Sequence, residues 1–280
     1  NGLQASLAGQ VKVAGGTVSV PGGQVPQAGR VVLEGFKAYS GITTTSSAAS
    51  TSGAVYSDYD TFMNAADGIH DAALITLLAG GSDVASGNLK VRAGVELVNS
   101  GDMTVDAAWD LTNAAWLRTG INQTAGRLAL RAAGNLAVNA RLGLPNESAV
   151  PPDSGWSLQL AAGADTASAD SLVVNASTAQ GDVTLGSQGK VTTSTGDIQI
   201  AAGRDFSAAS PASVVYTTGR ALTLPILSAT GLKWAAPATG VNFVDGGSIA
   251  IHAGRDVNGS GSYADVNDWL RRTTGTPGAT

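Results

Sequence analysis

The charged residues best suited to chemistry fall on two neighbouring segments of the chain: Lys90, Arg92, Glu96, Asp102 and Asp106. A glycosidase needs paired carboxylates, and a polysaccharide lyase needs a basic residue beside an acid. The alternation of the first segment gives a simpler explanation, because it places Lys90 and Arg92 opposite Leu89 and Val91 on the outer side of a strand. We favour an ordinary polar outer face, and a carbohydrate-active enzyme remains the alternative.

Four tryptophans fall in or beside irregular segments rather than in alternating strands: Trp109, Trp116, Trp156 and Trp234. Their rings could stack on sugars and form a glycan or partner contact, or they could pin loops onto the body of the protein. Pinning is the favoured interpretation, because a loop that crosses a strand needs a large side chain to hold it.

The histidines give little indication of catalysis. The chain has two of them, His70 and His252, and no cysteine, so a zinc site is not expected. A nucleophile elbow of the GxSxG type does not occur in the sequence. We therefore predict no enzyme, no catalytic residue, no metal and no cofactor.

Three aspartates directly follow turn segments that contain glycine: Asp165, Asp205 and Asp256. An aspartate in a turn caps nearby backbone amides, and this role is favoured over a ladder of cation ligands. Arg204 and Arg255 each precede one of these aspartates, so the pairs could stack as neighbouring ion pairs along one edge.

The elements that position these residues are short repeated units. From Gly181 to Ser210 the chain reads GDVTLGSQGKVTTST and then GDIQIAAGRDFSAAS, with two alternating apolar positions after each Gly-Asp. The turn Ala-Gly-Arg-Asp returns at 253–256, and related strand-and-turn units begin at Gly87, Gly101, Gly126 and Gly155. Such repetition predicts an all-β, right-handed parallel β-helix (β-solenoid) with loop insertions, about eight to ten rungs and roughly 20 to 30 residues per coil.

The composition agrees with a narrow core of small and branched side chains. Charged residues make up 13% of the 280 residues and aromatic residues 5%, whereas 37 residues are glycine. The net charge of −5 argues against nucleic acid as a partner. No apolar run approaches the ~18 residues that a membrane-spanning helix needs.

Two segments depart from the strand pattern. Apolar residues recur at helical spacing between Asp58 and Gly81, so one helix is predicted there, capped by Asp58 or Asp60 and ended by Gly80-Gly81. A shorter helix is predicted at 265–272, where Arg271 and Arg272 suit its last turn. The run Thr43–Ser52 is predicted to be a solvated loop.

The order of these segments resembles the central region of filamentous haemagglutinin-family exoproteins of Gram-negative bacteria. The resemblance rests on LKVRAGVELVNSGDMTVDAAWDLT, LALRAAGNLAVNA, SLQLAAGADTASADSLVV and GDVTLGSQGKVTTSTGDIQIAAGRD, and covers roughly Val31 to Arg272. It implies a long parallel β-helix, secretion by a two-partner pathway through an outer-membrane transporter, and a role in adhesion, biofilm or contact between cells. The implied location is extracellular, at the bacterial surface.

These expectations define four regions. Residues 1–53 are predicted to form solenoid rungs with a Ser/Thr-rich loop, 54–86 a helical insertion, 87–262 the main β-solenoid, and 263–280 a short helix with a tail that continues into a longer chain. The predicted partners are the export transporter and host or neighbouring-cell surfaces or glycans. A second possibility is end-to-end or lateral self-association into a filament or sheath, because open strand edges template further pairing.

Overall fold

The computed structural model of the chain describes residues 2–7, 9–13, 31–64, 89–117, 123–145, 155–175, 179–222, 226–228, 231–233 and 242–260. Strands dominate, and only two short helices occur among these residues. The first elements are β1 (Gly2–Leu7), β2 (Gly9–Val13), β3 (Val31–Ser40), α1 (Ser46–Ala49), α2 (Ala54–Asn64), β4 (Leu89–Asn99), β5 (Met103–Val105), β6 (Trp109–Asp110), β7 (Arg127–Ala132), β8 (Leu136–Val138) and β9 (Arg141–Gly143). The later strands are β10 (Ser157–Ala162), β11 (Val183–Leu185), β12 (Lys190–Thr193), β13 (Ile198–Ala202), β14 (Phe206–Ala208), β15 (Val214–Thr217), β16 (Arg220–Leu222), β17 (Ile226–Ser228), β18 (Gly231–Lys233), β19 (Asn242–Val244), β20 (Ile249–Ala253) and β21 (Val257–Asn258).

The chain winds through three parallel sheets and forms a parallel β-solenoid. The first sheet contains β3, β4, β7, β10, β13 and β20 in parallel, the second contains β5, β8, β11, β14 and β21, and the third contains β6, β9, β12 and β15. Each coil visits the sheets in the same order, so a strand pairs with its counterpart one coil away. The predicted β-solenoid fold class is confirmed.

The core is a set of stacked apolar positions between the sheets. In the first sheet Leu158 pairs with Ile198 and Leu160 with Ile200, and in the second sheet Val183 pairs with Leu136. All of these side chains are buried. The alternating positions predicted from sequence therefore point into the solenoid, as period-2 patterning requires.

The two Gly-Asp units that look alike in sequence occupy different corners of the coil. Gly181-Asp182 precedes β11 in the second sheet, whereas Gly196-Asp197 precedes β13 in the first. By contrast, both Ala-Gly-Arg-Asp turns, 202–205 and 253–256, join a first-sheet strand to a second-sheet strand. One coil thus contains three strands, and the 15-residue unit is only part of it.

The described coils are fewer and longer than predicted. Six parallel strands stack in the first sheet, below the predicted eight to ten rungs. Inserted segments take up the difference, since residues 163–182 separate β10 from β11 and the antiparallel pair β16–β19 interrupts the path from β15 to β20.

The beginning of the described solenoid has its own architecture. β1 and β2 form a hairpin that pairs antiparallel with β3, extending the first sheet against the strand direction. α2 begins at Ala54, four residues before the predicted start, because Val55 adds one turn to the buried stripe of Tyr59 and Met63. The predicted solvated loop contains α1 with Ala48 buried. The predicted end of this helix at Gly80-Gly81 lies outside the described residues, as does the predicted helix at 265–272.

Candidate functional site

Polar side chains form a ladder at the corner between the first and second sheets. The Asn135 amide nitrogen of the backbone donates to Asp102 Oδ1 (2.7 Å), and the backbone amides of Gly181 and Asp182 donate to Asn135 Oδ1 (2.9 and 3.0 Å). The Asp205 amide donates to Asp182 Oδ1 (3.1 Å) in the following coil. Each side chain therefore satisfies the backbone of the next turn and holds the coils in register.

Arg204 and Arg255 form ion pairs along the same corner, but each arginine pairs with an aspartate of the preceding coil and not with its own neighbour, Asp205 or Asp256, as predicted. Arg255 contacts the Asp205 carboxylate, and Arg204 Nε lies 3.3 Å from Asp182 Oδ1. The pKa of Asp205 is below its ordinary value, chiefly because Arg255 donates hydrogen bonds to the carboxylate. Turn capping is confirmed at Asp165, whose Oδ1 accepts the Ala167 amide at 3.1 Å. These ion pairs are partly exposed, so each contributes little to stability.

A buried carboxylate sits on the outer face of the first sheet, which we define as the side turned away from the solenoid core. Glu34 on β3 binds Arg92 on β4 (Nε–Oε2, 2.5 Å) and Arg127 on β7 (Nε–Oε1, 2.9 Å). Gly94 makes room for it, since a Cβ there would lie 2.6 Å from Glu34 Oε1. The chain thus places one buried negative charge between two guanidinium groups, which compensates the cost of burying it.

A second charged pair holds a loop over this outer face. Arg131 and Glu96 are both buried and form an ion pair, and Arg131 Nη2 also donates to the carbonyl oxygens of Asp165 and Ser168. Ser171 Oγ donates to Gln159 Oε1 at 2.6 Å. We call residues 164–175 the covering loop, because these contacts fasten the loop across β7 and β10.

A groove opens beside the covering loop, over β13 and β20. It has a volume of about 320 Å³ and is lined mainly by apolar side chains. The lining includes one amide and one imidazole beside the apolar residues, among them Leu172, Val174, Gln199, Ala201, Ala250 and His252. Gln199 Oε1 accepts a hydrogen bond from Gln159 Nε2 (2.8 Å). Apolar concavities with a few polar groups are the usual form of binding sites.

The three tryptophans that lie within the described residues are inside the protein. Trp109, Trp116 and Trp156 are buried, and Trp116 packs edge-on against Trp109 and Trp156 at centroid distances of 5.2 and 6.3 Å. Tyr59 of α2 donates to the Trp116 carbonyl, as does Trp156 Nε1. Burial leaves these three rings no face for a sugar, so the proposed glycan contact is wrong for them. The cluster packs α2 and the flanking loops against the solenoid. Trp234 lies outside the described residues.

The residues that suggested acid–base chemistry bind separate partners. Arg92 pairs with Glu34, and Glu96 pairs with Arg131. Asp102 accepts the Asn135 amide, whereas Asp106 Oδ1 accepts the amides of Thr45 and Ser46 (3.1 and 3.0 Å). The side chain of Lys90 and all of His70 lie outside the described part. Within the described ranges, no group of three or more acidic or histidine side chains could hold a metal ion.

The buried charges were not predicted from sequence. One feature of the sequence could have indicated burial on the outer side of the strands. Outward positions there carry alanine, at Ala129, Ala161 and Ala201, where a solvent-facing position would carry a polar residue. Small residues on both sides of a strand indicate that both faces are covered. That signal could have placed Glu34 and Glu96 in a covered environment.

Comparison with known proteins adds no relative: no family model matches the chain, and no curated protein or solved structure matches it. Among the described helices, none is long and apolar enough to cross a membrane.

Proposed function

We propose that this chain is a structural and adhesive segment of a large secreted bacterial surface exoprotein. The observation that supports this most is the ladder from Asp102 through Asn135, Asp182 and Asp205 to Asp256, which joins successive coils at one corner. Stacked coils make a scaffold that contacts only neighbouring coils and can extend in one direction. The extracellular bacterial location rests on the sequence resemblance to filamentous haemagglutinin-family exoproteins.

The adhesive surface in this proposal is the groove with the covering loop beside it. Loops carried on a rigid scaffold are the usual place for binding residues. Leu172 and Val174 form one wall, while Gln199 and His252 supply groups that can hydrogen bond. A cell-surface glycan or protein segment would bury apolar contacts there and use the amide and imidazole for orientation.

Binding to intact bacterial cells and to immobilised polysaccharides tests this proposal. The double variant Leu172→Ser/Val174→Ser should bind about tenfold more weakly, which corresponds to losing about 1.4 kcal/mol of binding free energy. Val173→Ser is the matched control, because Val173 is an adjacent valine that is exposed and does not line the groove. Unsaturable binding, or equal binding by both variants, would contradict the groove as the adhesive surface.

A second candidate function is end-to-end assembly into an extracellular filament. Ile249 and Val257 are 44% and 58% exposed, whereas their counterparts one coil earlier, Ile198 and Phe206, are 0% and 5% exposed. Within the described residues, β20 is one of the two edge strands of its sheet, at the end opposite β2. Unpaired edges beside apolar side chains favour addition of further strands.

Sedimentation over a range of protein concentrations tests assembly. Self-association through this end predicts species that grow with concentration, and Ile249→Lys should return the protein to a monomer by placing a charge at the contact. Val173→Lys provides a control at an exposed valine that belongs to neither β20 nor β21. A single monomeric species for the unmodified chain at all concentrations would rule out this candidate.

A further inference from the structure

A small cavity lies at the corner between the third and first sheets. Its volume is about 10 Å³ and its lining combines apolar side chains with threonine, serine and glycine: Leu111, Thr112, Gly143, Leu144, Gly155, Trp156, Thr192, Thr193 and Ser194. A volume of about 10–15 Å³ on this measure is enough for one water molecule. The cavity therefore has room for one water and no larger ligand.

One hydroxyl at this cavity is buried and unpaired. Ser194 is 1% exposed, and its Oγ has no hydrogen-bond partner among the described residues. A buried hydroxyl without a partner costs about 1–3 kcal/mol of stability. The neighbouring glycine preserves the space, because a Cβ on Gly155 would lie 2.3 Å from Ser194 Oγ.

Other polar atoms of the lining can complete the coordination of a water. Thr112 Oγ1 donates to Asp110 Oδ1 (2.6 Å) and Thr193 Oγ1 donates to the Gly196 carbonyl, so both oxygens keep lone pairs for a further donor. The Ser194 hydroxyl can donate its proton. Two to four polar partners are what a buried water requires.

We propose that this cavity is a binding site for a single ordered water molecule, which accepts a hydrogen bond from Ser194 Oγ and donates to threonine oxygens of the lining. Leu144 and Gly155 flank the segment 145–154, and both contact the next coil. The Leu144 amide donates to Thr192 Oγ1 (2.9 Å), and the Gly155 amide donates to Thr195 Oγ1 (3.0 Å). The water would complete this contact between Leu144 and Gly155 and the following coil. This inference is independent of the proposed adhesive function.

Crystal structures at a resolution that places ordered waters test the proposal directly. The unmodified chain should show one water within hydrogen-bond distance of Ser194 Oγ, and Ser194→Ala should lose it. Ser187→Ala, at an exposed turn serine, is the matched control and should keep it. A dry cavity in the unmodified chain, or a water that remains unchanged in Ser194→Ala, would overturn the proposal.

Solution NMR gives a second measurement that does not depend on crystals. A long-lived water should give cross-relaxation peaks with amides near Ser194, and these peaks should vanish in Ser194→Ala but persist in Ser187→Ala. Absence of such peaks in the unmodified chain would also count against the site.

Discussion

The backbone amide of Asp256 donates a hydrogen bond to Asp205 Oδ1 across 3.2 Å, from one coil to the coil before it. Asp205 donates its own amide to Asp182 in the same way. These aspartates are therefore parts of the coil-to-coil contact and not a row of free carboxylates. An aspartate in a turn is expected to accept a hydrogen bond from a backbone amide of the same turn. Here the aspartate accepts the amide of the corresponding turn in the next coil.

Removal of a ladder side chain should destabilise the stack. Asn135→Ala deletes the acceptor for the amides of Gly181 and Asp182, and each lost hydrogen bond costs about 0.5–1.5 kcal/mol. We expect urea unfolding to show a free energy of unfolding lower by roughly 1–3 kcal/mol for this variant. Asn135→Asp keeps an acceptor oxygen and should recover most of the loss. Equal unfolding midpoints for Asn135→Ala and the unmodified chain would refute a stabilising ladder.

The buried Glu34 should be needed for folding stability. Glu34→Gln leaves Arg92 and Arg127 without their countercharge on the outer face. Breaking a buried ion pair by removing one partner costs about 3–5 kcal/mol, and the partial exposure of Arg92 places this case near the lower end. Adding Arg92→Gln to Glu34→Gln should restore part of the stability in the same urea measurement. A further loss in the double variant would contradict this charge balance.

The aromatic cluster should hold α2 on the solenoid. Trp116→Ala removes a buried ring that contacts Tyr56 and Tyr59 of the helix, and such truncations cost about 3–5 kcal/mol. Trp116→Phe should cost less because it keeps an aromatic ring in the cluster. Hydrogen exchange followed by mass spectrometry should show faster exchange in 54–64 for the alanine variant than for the phenylalanine variant. Unchanged exchange in this segment would count against the anchoring role.

Acid should loosen the contact between α2 and β3. Hydrogen bonding from Lys37 is the main cause that lowers the pKa of Asp58, and Tyr39 also donates to this carboxylate at 2.9 Å. Burial is the main cause that raises the pKa of Tyr39, so the phenol stays protonated and remains a hydrogen-bond donor at neutral pH.

Because the folded pKa of Asp58 is lowered, its stabilising contribution is present above the unfolded value of about 3.9 and is lost as pH falls through the lower folded value. The urea midpoint should fall with acid more steeply for the unmodified chain than for Asp58→Asn. High salt should reduce the difference, because both side chains of the Lys37–Asp58 pair are partly exposed. Identical pH profiles for the two proteins would disprove this linkage.

The local sequence pattern was sufficient to predict the solenoid, but not which strand and corner of each coil a repeated unit occupies. The alternation at Ile198 and Ile200 places both inside, because a strand has only two sides. Gly181-Asp182 and Gly196-Asp197 have the same sequence and therefore suggest equivalent positions in successive coils. They lie at different corners of the coil, because turns at different corners can use the same residues. The segment that follows β14 contains β15, whose residues pair with those of β12 in the preceding coil. Such pairing between distant residues has no local signal in the sequence.

The candidate site was harder to predict for the same reason. His252 follows from the strand pattern as an outward residue, whereas the groove depends on where the covering loop crosses the sheet. The contacts that fix this loop, from Arg131 to Asp165 and from Ser171 to Gln159, join segments that sequence alone does not place together. The burial of Trp116 likewise depends on α2, because Tyr56 and Tyr59 of this helix pack against its ring.

Immunogold labelling of intact and permeabilised cells of the source organism tests the central claim most directly. Antibodies raised against the covering loop, residues 164–175, should label the outer surface of intact cells, while antibodies against a cytoplasmic protein should label only permeabilised cells. Surface label that disappears when the parent gene is deleted is the predicted result. Label that requires permeabilisation, with material inside the cell, would contradict an extracellular structural and adhesive segment.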